Sequence, residues 1–275
     1  MDTTFVDNGH GYGVPIHWTP GAGPTFAILG ALATPASFYE RLATELAARG
    51  WSVAVIEQRG LGDSSLRPSR EETWDFARVM YDDLPVALDW IRQQAPGQPL
   101  HLLGHSLGGH YASMATGLYA DRIDGAVLPA CGSPWIEAYD GPTRNQIAQL
   151  IEAIPALNEQ HGYYPGAQVG FGGNEARGVM DDWRHLARTN RYRLAGDDES
   201  IAALIAAYDG PVLMVRMADD DFAPERAVAA GLDRFTSRRP QEQVLSADDI
   251  GGAADHFGWA RKPKALVDLI ADWLP

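Results

Sequence analysis

The sequence predicts an α/β fold with a mostly parallel central sheet flanked by helices. Three observations point there. Short β-rich runs alternate with helix-length amphipathic segments, as they do when crossover helices join parallel strands. Most of the runs are too apolar for a sheet with one wet face, so helices must cover both sides. The chain has 275 residues, enough for one large domain with a substantial core or one domain carrying an insertion, and too few for two independent domains of this kind.

The predicted strands are Thr25 to Leu29, Ser52 to Glu57, Leu100 to Gly104, Gly125 to Pro129, Pro211 to Met217 and Gln243 to Ser246. Between the first two, Phe38 to Ala48 carries Leu42 and Leu46 at helical spacing and stops at Gly50, a residue suited to a helix C-terminus. Phe76 to Gln94 sets Val79, Leu84, Leu88 and Ile91 on one side and closes before Pro96-Gly97. Pro85 falls inside that run and predicts a kink or break near Asp83, because proline has no N–H to donate and crowds the preceding turn. Leu107 to Tyr119 and Lys264 to Leu274 read as further helices.

From Pro134 to Asp209 the alternation stops. A helical stretch near Asn145 to Leu157 is followed by Gly162 to Gly173, rich in Gly, Tyr and Phe, and then by another helical stretch. An excursion of this size exceeds a simple crossover. The expected organisation is therefore a core built from residues 1–133 and 210–275, with 134–209 inserted as a helical cap.

Composition narrows the function. Lys and Arg total 22 against 36 Asp and Glu, a formal charge of −14, with no basic block to attract phosphate backbones or anionic membranes. Nucleic acid and membrane partners are not expected. Cys131 is the only cysteine, which excludes an intrachain disulfide and a cysteine-built metal site and fits a reducing cytoplasm. Met1 to Phe5 lacks a basic region followed by an apolar run, and no stretch approaches the ~20 apolar residues of a membrane span.

The chemical signal lies at Gly104-His105-Ser106-Leu107-Gly108, where a β-type run passes directly into a helix. A serine at the apex of so sharp a turn needs small neighbours two residues to either side, and Gly104 and Gly108 supply them. The helix start behind it aims backbone N–H groups at developing negative charge, with Leu107 N–H as the natural first donor. A serine hydroxyl is a poor nucleophile alone; it requires a base, and the base requires an orienting group.

With these residues the chain resembles an α/β-hydrolase over essentially its whole length. Glu57-Gln58-Arg59-Gly60-Leu61-Gly62-Asp63-Ser64 is similar to the Asp-x-Arg-Gly-x-Gly-x-Ser turn of many members, with Glu57 in place of the usual Asp. More narrowly, the chain resembles a bacterial group of α/β-hydrolases without well-established substrates, through Gly30-Ala31, Pro35, Phe38-Tyr39, Gly162 to Gly166, Asp219 to Ala223 and His256-Phe257-Gly258. The family order of nucleophile, acid and base implies His256, after the last strand, as the base. It implies an acid in Asp219-Asp220-Asp221, where Asp220, four residues before Pro224, is preferred to Asp219 and then Asp221. The second oxyanion donor is expected in Gly30-Ala31-Leu32-Ala33, at Ala31 with Leu32 in reserve; Leu29-Gly30 stands where the family usually has His-Gly.

The resemblance implies acyl transfer through an acyl-enzyme on Ser106, with no metal and no organic cofactor. The expected function is hydrolysis of a small or medium ester or thioester. An acyltransferase or cyclase using the same chemistry is the alternative, and a non-catalytic binding module on the same fold the third reading. Trp135, Tyr139, Tyr163, Tyr164, Phe171 and Trp183 in the cap suggest an apolar pocket for a small-molecule acyl substrate, and equally suit packing of cap on core.

Overall fold

The computed structural model describes residues 1–274. Eight strands form the main sheet: β1 (Asp2–Asp7), β2 (Gly13–Thr19), β3 (Thr25–Leu29), β4 (Ser52–Ile56), β5 (Leu100–Gly104), β6 (Gly125–Pro129), β7 (Val212–Met217) and β8 (Gln241–Leu245). Their spatial order is β1-β2-β4-β3-β5-β6-β7-β8. Pairings from β4 to β8 are parallel, while β1 with β2 and β2 with β4 are antiparallel. The expected α/β class with a mostly parallel sheet is what the chain forms. The β1–β2 hairpin lies outside the expected strands. β1 is exposed along most of its length and so lacks the apolar run that marks the others.

Alternation along the strands divides the interior in two. Phe26 and Ile28 of β3, Val53 and Val55 of β4, and Leu213 and Val215 of β7 join one core with α1 (Glu40–Ala48) and, from the terminal helix, Leu266 and Ile270. Ala27 and Leu29, Ala54 and Ile56, and Val212 and Met214 face the other core with α2 (Leu84–Gln94) and α3 (Leu107–Leu118). The period of two in a strand sends successive side chains to opposite faces, which is why these runs are mostly apolar along their whole length. The break expected near Asp83 takes the form of a π-helical turn over Val79–Asp83, with Pro85 at the start of α2, where a missing N–H costs nothing.

Between β6 and β7 run α4 (Gly141–His161), α5 (Arg177–Thr189) and α6 (Glu199–Ala207), together with a two-residue antiparallel ladder of Tyr164–Pro165 against Asn174–Glu175. α4 extends beyond the expected Asn145 to Leu157 at both ends and stops at Gly162, whose φ of 83° is the left-handed conformation glycine adopts freely. α6 packs on α3 of the core, where Gly117 leaves room: a Cβ there would stand 2.8 Å from Ile205 N. Two helices follow β7 and β8: α7 (Glu225–Leu232) and α8 (Lys264–Trp273). No helix among the described residues is long and apolar enough to cross a membrane.

Candidate active site

Ser106 sits just beyond the C-terminal end of β5. Its backbone, at φ 52° and ψ −114°, lies in a region that non-glycine residues rarely occupy. The glycines around it make the turn feasible. A Cβ on Gly104 would stand 2.4 Å from the Gly108 carbonyl oxygen, and one on Gly108 would stand 2.0 Å from that of Leu29. The elbow is tied to β3 by His105 N–H, which donates to Leu29 O at 3.0 Å.

Two other loops at the same end of the sheet meet this serine. His256, after β8, brings Nε2 to 2.9 Å from Ser106 Oγ and Nδ1 to 2.8 Å from Asp220 Oδ2, after β7. The Asp220 carboxylate is fully buried and its other oxygen accepts from Phe222 and Ala223 N–H at 2.9 and 3.1 Å. With the carboxylate only able to accept, His256 carries its hydrogen on Nδ1 and leaves Nε2 to accept the serine proton. The neighbouring Asp219 and Asp221 are exposed. Phe222 and Phe257 set their rings edge-on to the imidazole, at 5.4 and 4.9 Å between centroids, and confine it.

The loop after β3 departs from expectation at Ala31. Its N–H donates to the Tyr39 hydroxyl at 2.8 Å and is thus spent inside the protein, so it is not the free donor that the sequence suggested. Leu32 N–H and Leu107 N–H have no protein acceptor among the described residues, and both residues line the cavity at Ser106. The turn after β4 holds this loop: Glu57 Oε1 accepts from Ala36 N–H at 3.0 Å, and the Gln58 amide donates to the carbonyls of Gly30 and Ala31. Arg59 faces away from the cavity, clamping Asp83 through two nitrogens at 2.5 and 2.7 Å under the Tyr12 ring.

A buried chain of hydrogen bonds links all three loops, and sequence reasoning did not find it. Tyr39 Oη, having accepted from Ala31, has its proton for His105 Nδ1 at 2.8 Å; the ring therefore carries hydrogen on Nε2 and donates to the His256 carbonyl at 2.8 Å. Burial pushes the His105 pKa well below the usual histidine range, with the nearby His256 acting in the same direction, so the ring stays neutral. The one available signal was a histidine placed directly before the nucleophile.

The cavity beside Ser106 measures about 250 Å³, just below the ~300–1,000 Å³ usual for ligand sites. Of the six aromatic residues expected there, Tyr139, Phe171 and Trp183 line it. The other three do not. Trp135 packs against the core, Tyr163 stands beside His161 at 6.1 Å, and Tyr164 is fully buried with its hydroxyl unpartnered. Aromatic content marked the segment, but only the fold determines which face of it meets the serine. Ile147 and Leu150 of α4, Phe222, Phe257, His110 and Gln146 add to the walls. Cys131 is buried, its thiol pushed up to about 12 by desolvation, and is inert as a nucleophile. Among the described residues no group of three or more His, Cys, Asp or Glu could hold a metal ion.

Comparisons with known proteins agree with this architecture. No curated protein sequence matches the chain. Solved structures do: DcsB in complex with a substrate analogue, at 15% identity over 99% of this chain and 97% of that one, with a TM-score of 0.68; an esterase from Exiguobacterium antarcticum, at 14% over 98% of both chains and 0.67; and the thioesterase domain from the curacin biosynthetic pathway, at 17% over 99% of both and 0.64. At such identities the likeness is one of fold. The model of the family described as serine aminopeptidase, S33 (Hydrolase_4) matches residues 26–247. With a mostly parallel sheet and a strand-to-helix serine turn inside that span, the chain belongs to this family and is an α/β-hydrolase-fold hydrolase.

Proposed function

We propose that the protein hydrolyses small or medium carboxylic esters or thioesters through an acyl-enzyme on Ser106. The observation that carries this reading is the unbroken sequence of hydrogen bonds from Ser106 Oγ through His256 to buried Asp220, at the wall of the cavity. His256 Nε2 takes the hydroxyl proton as Oγ bonds to the carbonyl carbon, and Asp220 stabilises the imidazolium that forms. The oxyanion is met by Leu107 N–H and Leu32 N–H. His256 then protonates the leaving alkoxide or thiolate. In the second half it draws a proton from water, whose oxygen bonds to the acyl carbon, and returns that proton to Ser106 Oγ as the acyl–Oγ bond breaks and the acid leaves.

Residues 134–209 serve in this reading as a cap whose α4 and α5 furnish apolar walls, through Ile147, Leu150 and Trp183. A small-molecule acyl compound is the partner, and no metal or organic cofactor takes part. A fluorophosphonate probe on the wild-type protein and Ser106→Ala, paired with a chain-length series of p-nitrophenyl esters and acyl thioesters, tests the proposal. Ser106-dependent labelling and turnover are expected. Labelling that survives in Ser106→Ala, or none in the wild type, would refute it. Adding amine and alcohol acceptors separates hydrolysis from acyl transfer, since predominant transfer at modest acceptor concentration would identify a transferase.

A further inference from the structure

The cavity wall carries two polar side chains that the acyl-transfer machinery leaves unused, the partly buried Gln146 and the buried His110. His110 stands four residues after Ser106, on the same side of α3 and about 6 Å along its axis. It is buried, yet it lines the cavity. Its Nδ1 lies 2.9 Å from the Tyr192 hydroxyl, which also meets the Arg234 guanidinium at 3.4 Å. A guanidinium can only donate, so the hydroxyl accepts from Arg234 and has a proton to offer either His110 Nδ1 or the neighbouring Ser113 hydroxyl; the arrangement taken here gives it to His110. The neutral ring then carries its hydrogen on Nε2. Among the described residues no acceptor meets that N–H, and it is not one of the polar atoms sealed in the interior without a partner, so it opens onto the space that His110 borders. Burial, reinforced by the charge of Arg234, lowers the His110 pKa to about 3, which keeps the ring neutral under ordinary conditions.

We propose that His110 Nε2–H recognises a neutral oxygen on the acyl chain, a ketone, hydroxyl or ether, and that the enzyme prefers oxygenated acyl groups to hydrocarbon ones. The inference rests on the acyl-enzyme reading above. A hydrocarbon chain in this cavity strips water from the N–H and returns nothing, whereas an oxygen a few bonds beyond the scissile carbonyl restores the hydrogen bond. A carboxylate fits less well, since one neutral donor does not compensate a charge buried among Ile147, Leu150, Phe171 and Trp183. The Tyr139 hydroxyl offers no competing donor, because it already serves the carbonyls of Ser133 and Phe222, and Gln146 is only partly buried, so its amide does not depend on the substrate for its hydrogen bonds.

The test compares kcat/KM for p-nitrophenyl levulinate, whose acyl chain carries a ketone, with that for p-nitrophenyl pentanoate, of equal chain length. Rates are divided by those of hydroxide-catalysed hydrolysis and measured on wild type, His110→Phe and His110→Leu. The wild type should prefer levulinate, and its ratio should exceed that of either variant by roughly three- to ten-fold, the worth of one neutral hydrogen bond. Two variants of different shape guard against one that fails to fold, and the wild-type preference is read without either. A wild-type preference for pentanoate, or equal ratios in wild type and variants while turnover still depends on Ser106, overturns this inference alone. Loss of Ser106 dependence for both esters overturns the reading beneath it.

Discussion

Replacing Tyr39 by Phe removes one oxygen, and the structure states what that oxygen does. It accepts the Ala31 N–H and donates to His105 Nδ1, both at 2.8 Å, in a region where Tyr39 and His105 have no solvent exposure. Neither partner has a substitute there. A buried polar group left without a hydrogen bond costs about 1–3 kcal/mol, so two of them predict a loss of roughly 2–6 kcal/mol in folding free energy. Ala31 directly precedes Leu32, and His105 directly precedes Ser106, so the same change loosens the oxyanion loop against the nucleophile. Removing an oxyanion donor outright costs ~10²–10³ in kcat; a donor that is present but poorly held should cost about ten-fold, on the scale of a misplaced catalytic contact. Urea denaturation of Tyr39→Phe gives the first quantity and p-nitrophenyl butyrate kinetics at a temperature where the variant is folded gives the second, with KM expected to stay within about two-fold of wild type if ground-state binding is untouched. Stability within about 0.5 kcal/mol of wild type together with an unchanged kcat would refute the argument that this hydroxyl locks the loops, since that range is what a neutral surface change produces.

Glu175 is buried, and desolvation raises its carboxyl to about 7, against which the single bond from Gly173 N–H is a weak counterweight. The folded state therefore holds a proton that the unfolded state has released, so stability should fall as pH rises from the unfolded value through about 7, by on the order of 3 kcal/mol. Glu175→Gln should flatten that part of a Tm-against-pH profile and raise Tm at alkaline pH; parallel profiles would contradict it. His101 and His110 run the other way, with burial lowering them to about 4 and about 3. Their unfolded forms take up protons below about 6.5 while the folded forms do not, so stability is intact above that pH and is lost as the pH falls toward 4, by about 2 kcal/mol per histidine at pH 5. Urea titrations of wild type and His101→Gln should differ in slope across that window, and equal slopes would exclude it. Leu150→Trp, at the cavity wall, should cut turnover of the longer acyl esters by at least about ten-fold while sparing acetate, because an apolar pocket discriminates by volume at ~1–3 kcal/mol per group; an unchanged chain-length profile would move the acyl chain elsewhere.

How far the residues spoke for themselves differs between fold and site. β3 to β7 were legible because they are buried on both faces, so each is a largely apolar run bounded by turns, whereas β8 is an edge strand with four of its five residues exposed and was caught only at its C-terminal end. β1 and β2 were not, because an antiparallel edge hairpin needs only one dry face and β1 barely has that. The elbow was legible for a steric reason: the backbone of residues 104 and 108 passes so close to other backbone that only glycine fits, and a requirement of that kind is written in single residues.

The remainder of the site depends on distances between segments far apart in the chain. Asp219, Asp220 and Asp221 are chemically the same, and what separates them is the turn after β7, which buries the middle carboxylate against His256 and leaves its neighbours in water. Ala31 and Leu32 differ in role for a similar reason. Each has an N–H in a loop of small residues; a hydroxyl eight positions later consumes one and leaves the other. That hydroxyl is free to do so because His105 accepts its proton, and His105 is oriented because the His256 carbonyl accepts from it in turn. The loops of nucleophile, base and oxyanion donor are thus fixed to one another by neutral groups that take no part in the proposed chemistry, so substitutions at Tyr39 and His105 should be coupled: removing either disconnects the same chain, and the double variant should lose less than the sum of the two. A fully additive double-mutant cycle would show that the two side chains act separately and that the shared chain of protons has no energetic content of its own.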